Sequence, residues 1–312
     1  MSKAIRQVYG EKLAALGEQR RDIVVLDADV SSSTQTKFFA KAHPDRFFNM
    51  GIAEANMTAT AAGLATQGFI PFVNTFAVFI TSIGYVPTRA LACYADLNVK
   101  LAGAYCGLSD AYDGASHHAT EDIAIMRALP RMQILCPADA RATEALTELA
   151  VDTHGPCYLR LSRDVYPDLY PADAGFEVGK GCVVREGSDA TVIACGILVH
   201  KALEAAEALA QEGVSVRVVD MYSIKPLDEA LVLRCAEETG AIIAAEEHSV
   251  IGGLGGAVAE CLSKAGAGVP TEMVGVQDTF TESGPYNQLL KKYALDGAAV
   301  ADAIRRAVGR KK

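Results

Sequence analysis

The strongest constraint on the fold is a repeated alternation between short apolar runs and longer segments with helical periodicity. An apolar run followed by a helix-length segment is typical of a strand buried in a parallel sheet, with a crossover helix after it. Because this unit recurs along the whole chain, we expect an α/β protein. Apolar runs that predict strands occupy 23–30, 47–50, 70–74, 100–105, 133–136, 156–161, 190–196, 214–220, 241–246 and 270–276.

The alternation is interrupted near the middle of the chain. Residues 164–178, with the sequence DVYPDLYPADAGFEV, contain prolines, a glycine and acidic residues without periodicity, which is typical of a linker. We therefore predict two doubly wound domains, each a mainly parallel sheet with helices on both faces. The predicted domains are residues 1–165 and residues 179–312, joined by a linker over 166–178.

Composition excludes several classes of function. The formal net charge is −9, and Lys and Arg cluster only at the C-terminus, so a nucleic-acid-binding face is not expected. The eight cysteines form no CxxC pair and most lie in apolar runs, which indicates reduced, buried thiols rather than disulfides or a zinc site. The N-terminal segment has no apolar signal core, and no apolar stretch reaches membrane-spanning length without polar interruption. We therefore expect a cytoplasmic protein with no membrane partner.

Glu54 is the one charged residue between Phe47 and Phe79. A helical run of small residues follows it, so two interpretations are open. Glu54 can begin a surface helix, where its carboxylate complements the helix dipole. It can instead be a buried acid, which is expensive unless paired and which can serve as a proton donor.

The hydroxyl-rich run 31–34, SSST, follows the first predicted strand and also allows two interpretations. Its side chains can cap a helix beginning near Gln35. They can also hold an anionic group, because hydroxyls beside a helix N-terminus suit phosphate.

The loop 106–122, CGLSDAYDGASHHATED, is the most polar stretch of the chain. Asp113 and His117 flank a short turn that can present a carboxylate and an imidazole together, which suits sugar hydroxyls or proton transfer. The alternative is a solvated loop that only starts the next helix. His117 and His118 are adjacent and should point in different directions. Because further ligands at metal-site spacing are missing, no metal site is predicted.

Two further clusters follow predicted strands. Arg163 suits bidentate binding of a phosphate, or it forms a salt bridge with Asp164 or Asp168. The glycines of GGLGG at 252–256 favour close packing between a helix and a strand, because the run matches no nucleotide-binding motif. Residues 246–248, EEH, can cap that helix or contact a partner chain.

Several of these stretches together resemble one family. GIAEAN (51–56), NTFAVF (74–79), DGASHHATED (113–122) and YLRLSRD (158–164), in this order and at these distances, are similar to the C-terminal half of transketolase. The resemblance covers essentially the whole chain, as a pyrimidine-binding domain followed by the family's C-terminal domain. It implies thiamine diphosphate as the cofactor.

The resemblance also implies roles for single residues. Glu54 and His117 match catalytic residues, and Glu54 hydrogen-bonds the aminopyrimidine ring of the cofactor. Phe76 and Phe79 match the aromatic residues that hold that ring, and Asp29 matches an acid near the cofactor. The implied substrate contacts are Asp113 and His117 with the donor sugar, and Ser33 and Arg163 with phosphate.

Three positions depart from the family pattern, and one motif is missing. Ser82 replaces a third aromatic residue, Tyr105 replaces a phosphate-binding histidine, and Tyr112 replaces an acid, which puts phosphate contacts and substrate choice in question. The family's GDG motif, which with a later Asn holds Mg²⁺ and the diphosphate, does not occur here. We therefore predict that a separate N-terminal subunit binds most of the Mg²⁺–diphosphate group, in a heterotetramer of two copies of each chain.

The resulting prediction is the C-terminal subunit of a split transketolase. It transfers a two-carbon ketol unit from a ketose phosphate to an aldose phosphate. The alternatives are the β subunit of a 2-oxo-acid dehydrogenase's decarboxylating component, a relative that condenses pyruvate with glyceraldehyde phosphate, and a non-catalytic half-protein.

Overall fold

The chain folds into two α/β units, each built on its own sheet. The structure, a computed structural model, describes residues 3–311. The strands and helices of the first unit, in chain order, are α1 (Ile5–Gln19), β1 (Ile23–Asp27), α2 (Ser31–Thr34), α3 (Lys37–Ala42), β2 (Phe47–Asn49), α4 (Glu54–Ala65), β3 (Ile70–Phe76), α5 (Ala77–Ser82), α6 (Tyr85–Pro87), β4 (Lys100–Ala104), α7 (Asp122–Arg127), β5 (Gln133–Leu135), α8 (Ala140–Asp152) and β6 (Cys157–Leu161). Those of the second are β7 (Cys182–Arg185), β8 (Ala190–Ala194), α9 (Ile197–Ala210), β9 (Val216–Asp220), β10 (Ser223–Lys225), α10 (Glu229–Thr239), β11 (Ile242–Ser249), α11 (Leu254–Ala265), β12 (Thr271–Val276), α12 (Tyr286–Lys292) and α13 (Gly297–Gly309).

Both sheets are mainly parallel, which confirms the predicted α/β class. The first has the order β10-β5-β6-β4-β3-β1-β2 and the second the order β12-β11-β8-β9-β7. Each sheet has one antiparallel edge pair, β10 with β5 and β7 with β9. The central strands β1, β3, β4 and β6 are buried along their length apart from the last residue of β3, as continuous apolar runs predict for strands covered on both faces.

Strand β10 joins the two units, because it follows β9 in the chain but pairs with the first sheet. The sequence analysis missed both β10 and β7. Each is a short edge strand of three or four residues, outside the pattern of continuous apolar runs. Its pairing is determined by the tertiary neighbour rather than by its own composition.

The segment 76–94, between β3 and β4, is helical but divided into shorter pieces. It forms α5, then α6, then a π-helical turn over Thr88–Cys93. Gly84 lies at the first break, where a Cβ atom would approach the carbonyl oxygen of Ile80 to 2.6 Å. Pro87 has no N–H group to donate, so it disturbs the helical ladder at the second break.

The connection over 164–178 contains no helix or strand, and it is attached to both units. Asp139 accepts hydrogen bonds from the backbone N–H groups of Leu169 and Tyr170 at 2.8 Å. The Tyr170 hydroxyl donates to Asp220 of the second unit at 2.7 Å. The exact boundaries of the two domains stay a prediction. Within residues 3–311, no helix is both long enough and apolar enough to cross a bilayer.

Candidate functional site

The carboxyl edge of the first sheet gathers most of the residues that the sequence singled out. Asp27 pairs in register with both Asn49 and Asn74, and Phe76 pairs with Ala104. Because these parallel strands end level with one another, the residues that follow them converge on one edge, where α/β proteins place their sites.

Glu54 is the first residue of α4 and is only 3% exposed. The Thr75 hydroxyl donates to its Oε1 atom at 3.4 Å, and no other donor within residues 3–311 reaches the carboxyl group. The interpretation of Glu54 as a surface residue is therefore wrong, although its place at the helix start is as expected. The structure shows a buried acid with one long hydrogen bond and no ion pair among the described residues.

Four aromatic side chains contact one another near the end of β3, and we call them the ring cluster: Phe76, Phe79, Tyr105 and His117. The Phe76 and Phe79 rings are stacked, with centroids 5.9 Å apart and planes inclined by 22°. Phe76 lies 4.5 Å from Tyr105, and Phe79 meets the edge of the His117 ring at 5.3 Å. Phe76 ends β3 and precedes α5, so Phe79 follows one helical turn later on the same side. The half-buried phenylalanines leave a flat apolar surface suited to a heteroaromatic ring.

Tyr105 lies between two guanidinium groups at one end of the ring cluster. The carbon atoms of the Arg6 and Arg163 guanidinium groups lie 5.1 and 5.2 Å from the Tyr105 centroid. Arg6 also donates to the Tyr105 hydroxyl at 2.5 Å and to the backbone oxygen of Ser33 at 2.9 Å. Ser33, Tyr105 and Arg163 thus lie close together, with Arg6 connecting the first two. Sequence reasoning missed Arg6, since a lone arginine on an amphipathic helix carries no local signal.

The loop between β4 and α7 is mostly buried rather than solvated. Asp113 ends a 3-10 turn and is exposed, whereas the ring of His117 is half-buried and shares a hydrogen bond with Ser116 at 3.0 Å. Gly114, with φ of 76°, allows the tight turn between them. As expected for adjacent residues, the His118 ring points elsewhere and shares a 2.7 Å hydrogen bond with Thr281 of the second unit.

Asp110 is a buried acid in this loop that the sequence analysis did not select. Its Oδ1 atom lies 3.3 Å from the Arg163 guanidinium, so Asp110, rather than Asp164 or Asp168, is the salt-bridge partner of Arg163. No hydrogen-bond partner reaches its buried Oδ2 atom within the described residues. Burial raises the pKa of Asp110 to about 6; the Asp113 carboxylate adds to this rise, and His117 and Arg163 oppose it.

Asp29 follows β1 and lies on the open side of the edge. It is exposed, adopts φ of 64°, and accepts a hydrogen bond from the Asn49 amide at 2.8 Å. The buried acid on this strand is Asp27 instead. It accepts hydrogen bonds from the hydroxyls of Thr34 and Thr36 at 2.7 and 2.8 Å, and burial raises its pKa.

The hydroxyl-rich run 31–34 does not cap a helix beginning near Gln35. It forms the short helix α2 itself, Gln35 is left-handed, and the next helix begins at Lys37. That alternative is wrong, and phosphate binding by Ser33 stays a prediction. At the position where the family has a third aromatic residue, Ser82 is exposed and donates to the Val78 backbone oxygen at 2.5 Å.

A different set of polar residues lies at the seam between the two units, where Glu247 of the second sheet meets residues of the first unit. The buried Arg160 forms an ion pair with Asp122 at 2.8 Å and donates to the Glu247 backbone oxygen at 2.8 Å. The Tyr158 hydroxyl adds a hydrogen bond to Asp122 at 2.7 Å. Glu247 accepts from the Leu108 N–H group at 2.7 Å. Arg160 and Asp122 therefore fasten the two units together and are separate from the edge that carries Glu54.

Glu246 caps α11, as one of the two interpretations of the EEH segment expected. Its carboxylate accepts hydrogen bonds from the N–H groups of Leu254 and Gly255 at 2.7 and 2.8 Å. A Cβ atom at Gly253 would collide with this carboxylate, so the glycine run permits the close approach of helix and strand.

Two family models together match most of the chain. The model for the transketolase pyrimidine-binding domain matches residues 1–168, and the model for the transketolase C-terminal domain matches residues 179–300. The first match alone covers more than half of the 312 residues.

Proteins similar to this chain are described as transketolases or as parts of a transketolase. A putative transketolase C-terminal section from Methanocaldococcus jannaschii is 43% identical over 97% of this chain and 95% of its own length. Human transketolase is 40% identical over 97% of this chain but only 48% of its own length, so the chain corresponds to about half of that protein. A solved structure described as a split gene transketolase, inactive beta4 tetramer, superposes with a TM-score of 0.92 at 48% identity and full coverage of both chains.

Proposed function

This chain belongs to the transketolase family, as the C-terminal section of a split transketolase, and on that premise we propose its reaction. With thiamine diphosphate, and together with an N-terminal subunit, it transfers a two-carbon ketol unit from a ketose phosphate to an aldose phosphate. The observation that carries this proposal is the buried carboxyl group of Glu54, which is hydrogen-bonded to Thr75, the neighbour in sequence of Phe76 in the ring cluster.

The residues present fit the pyrimidine half of thiamine diphosphate. Phe76 and Phe79 offer a stacked aromatic surface, and Glu54 beside Thr75 offers a buried carboxyl group with one oxygen free of protein donors within residues 3–311. These three side chains would hold the ring, with Asp29 at the outer side of the same edge. The bound cofactor supplies the carbon atom that accepts and releases the two-carbon unit.

Glu54 holds a proton at a nitrogen of the pyrimidine ring in this proposal. No cation pairs with its carboxyl group within residues 3–311, and the Thr75 hydroxyl is a distant donor at 3.4 Å. A carboxylate in such a place is stable only when a hydrogen bond or a shared proton compensates its burial. Sharing a proton with the ring supplies this compensation and explains why a lone acid is placed among apolar residues.

In this proposal, Asp113 and His117 of the 106–122 loop bind the donor sugar. The exposed Asp113 and the half-buried His117 ring offer an acceptor and a proton-carrying group for hydroxyl and carbonyl oxygens. Ser33 and Arg163 lie at the Tyr105 end of the cluster, where they would contact a terminal phosphate.

A partner subunit completes the site. Exposed apolar residues lie on the segments next to α4: Ile52, two positions before Glu54, is 82% exposed, and Ile83 and Val86, on or beside helices that pack against α4, are 50% and 70% exposed. Such a surface is typical of a protein–protein interface. We propose an N-terminal subunit that provides most of the Mg²⁺ and diphosphate contacts, in a heterotetramer. The description of the similar solved chain as an inactive tetramer supports dependence on a partner.

Reconstitution tests the reaction. We expect this chain mixed with its N-terminal subunit, thiamine diphosphate and Mg²⁺ to convert xylulose 5-phosphate and ribose 5-phosphate into a ketose phosphate two carbons longer than the acceptor. Product from pyruvate alone would favour the 2-oxo-acid alternative, and product from pyruvate only when glyceraldehyde phosphate is added would favour the pyruvate-condensing one. No product from either substrate would favour a non-catalytic half-protein.

Calorimetry tests the dependence on a partner. Titration of this chain alone with thiamine diphosphate and Mg²⁺ should give weak or no binding, and addition of the N-terminal subunit should restore tight binding. Tight binding without a partner would contradict the shared site.

A further inference from the structure

Arg163, the proposed phosphate contact, is already engaged by an acid of its own chain. Its Nη1 atom lies 3.3 Å from Asp110 Oδ1 and 3.4 Å from the Asp110 backbone oxygen. Asp110 is fully buried, whereas the Arg163 side chain is 40% exposed, so the acid sits beneath the guanidinium and the outer side remains open to a ligand. An incoming phosphate would therefore share Arg163 with an anion already in place.

Arg6, the other cation at the Tyr105 end of the ring cluster, already makes hydrogen bonds within the chain as well. Arg6 donates to the Tyr105 hydroxyl and to the Ser33 backbone oxygen. Tyr105 lies against both guanidinium groups, and its ring has no charge to add. The Asp113 carboxylate lies near Asp110 as a second anion. The positive charge that would attract a phosphate is thus opposed by two carboxyl groups of the 106–122 loop.

One of the two carboxylate oxygens of Asp110 lacks a hydrogen-bond partner within residues 3–311. No hydrogen-bond donor within the described residues reaches its buried Oδ2 atom. Arg163 therefore provides the one side-chain hydrogen bond to the Asp110 carboxylate within the described residues, and the acid depends on this guanidinium for its compensation. The pKa of Asp110, raised to about 6 by burial, leaves the group mostly ionised at neutral pH.

We propose that Asp110 is a specificity-determining residue, which competes with a donor's terminal phosphate for Arg163. The site consequently discriminates less in favour of phosphorylated ketoses than it would with a neutral residue at this position. This inference rests on the proposed function, because that function places the end of the donor beside Arg163.

The first test is anion binding by the chain alone, because Arg6, Ser33, Asp110 and Arg163 all belong to it. Calorimetric titration with inorganic sulfate at pH 7.5 and low salt should show Asp110→Asn binding about tenfold more tightly than wild type, since one charged hydrogen-bond competitor is removed. Asp110→Ser gives the same comparison if the Asn variant does not fold. Equal affinities in wild type and variant, including no measurable binding by either, would overturn the proposal.

Asp220→Asn is the matched control. Asp220 is also a buried acid, its Oδ2 accepts from Tyr170 at 2.7 Å, and its Oδ1 lacks a partner within the described residues. Burial raises its pKa to about 8, but it lies in the second unit. Its variant should bind sulfate as wild type does. A gain equal to that of Asp110→Asn would show that an amide in place of any buried acid of the chain raises sulfate affinity, and would contradict the proposal.

A double variant shows whether Asp110 acts through Arg163. The gain from Asp110→Asn should disappear in the background Arg163→Met, because the competed group is then absent. A gain that persists would assign the effect to another cation and overturn the mechanism.

Kinetics of the reconstituted enzyme separate this proposal from the proposed function. Asp110→Asn should raise the kcat/KM of xylulose 5-phosphate relative to that of xylulose by about tenfold, mainly through KM. Turnover with an unchanged ratio would reject the role of Asp110 while leaving the transketolase reaction in place. Absence of turnover would reject the reaction, and the sulfate titrations would still decide the role of Asp110.

Discussion

The carboxyl edges of the two sheets carry acidic residues in opposite states. On the first sheet, Glu54 has one hydrogen bond of 3.4 Å, and Asp29 and Asp113 are exposed. On the second sheet, Glu246 and Glu247 are buried and accept short hydrogen bonds from backbone N–H groups. Both sheets are mainly parallel, but the first edge leaves these three acids available, whereas the second uses Glu246 and Glu247 to hold structure.

The comparison indicates that acids at such an edge are available to a ligand where backbone N–H groups do not already donate hydrogen bonds to them. In the second unit, the N-terminus of α11 and the loop of the first unit supply those donors. In the first unit, Glu54 is itself the first residue of its helix, and no backbone N–H group within residues 3–311 donates to its carboxyl group.

Exchanging the acids for amides on both edges should produce the largest contrast. We expect Glu54→Gln to lower transketolase turnover by about 10²–10⁴-fold, the usual contribution of a proton-transferring group, with the melting temperature nearly unchanged. Glu246→Gln is the control and should lower the melting temperature while leaving turnover at low temperature intact. Near-normal turnover of Glu54→Gln in the reconstituted enzyme would remove Glu54 from the mechanism.

The two arginines at the end of β6 provide the second contrast. Arg160→Ala leaves Asp122 buried without its ion pair, so we expect a loss of about 3–5 kcal/mol in the free energy of unfolding. Arg163→Ala also leaves a buried acid, but the arginine is partly exposed and Asp110, with its pKa raised to about 6, takes up a proton more readily, so the loss should be smaller, about 1–2 kcal/mol. Denaturant titration measures both, and similar losses would mean that Arg163 is structural as well.

Glu247 makes the seam sensitive to pH. Burial raises its pKa from 4.5 to about 7, with Arg160 opposing the rise, so the folded state holds a proton that the unfolded chain releases. Its contribution to stability is complete below pH 4.5 and is lost as the pH rises through 7. Between these values, the melting temperature of wild type should fall more than that of Glu247→Gln, by roughly 5 °C. Parallel melting profiles would contradict this assignment.

The smallest expected effect is the pH dependence of sulfate affinity that Asp110 causes at the first edge. Because its pKa is about 6, it is ionised above that pH and neutral below it, so Arg163 becomes available to an anion as the pH falls. Sulfate stays a dianion throughout, and its affinity for wild type should rise about threefold to tenfold from pH 7.5 to 5.5. His117 is present in wild type and in Asp110→Asn alike, so a flatter pH profile of sulfate affinity in the variant isolates the contribution of Asp110. Identical pH profiles would exclude that contribution.

The α/β class, the strands of both sheets apart from two edge strands, and the unusual position of Glu54 follow from the sequence. These features are local: a continuous apolar run predicts a buried parallel strand, and a single charge among apolar residues stands out. The motif spacing also identified Phe76, Phe79 and His117, which the fold brings into one ring cluster. Their catalytic and binding roles stay predictions.

Only the tertiary structure decided which polar groups meet. Arg6 reaches Tyr105 across 99 positions, Asp110 reaches Arg163 across 53, and Leu108 reaches Glu247 across 139. Such pairs leave no periodic trace, because a charged or polar side chain looks the same in sequence whether water or a distant residue satisfies it. For the same reason the sequence marked Glu54 as unusual, but only burial against Thr75 showed that it is an interior acid rather than a surface helix start.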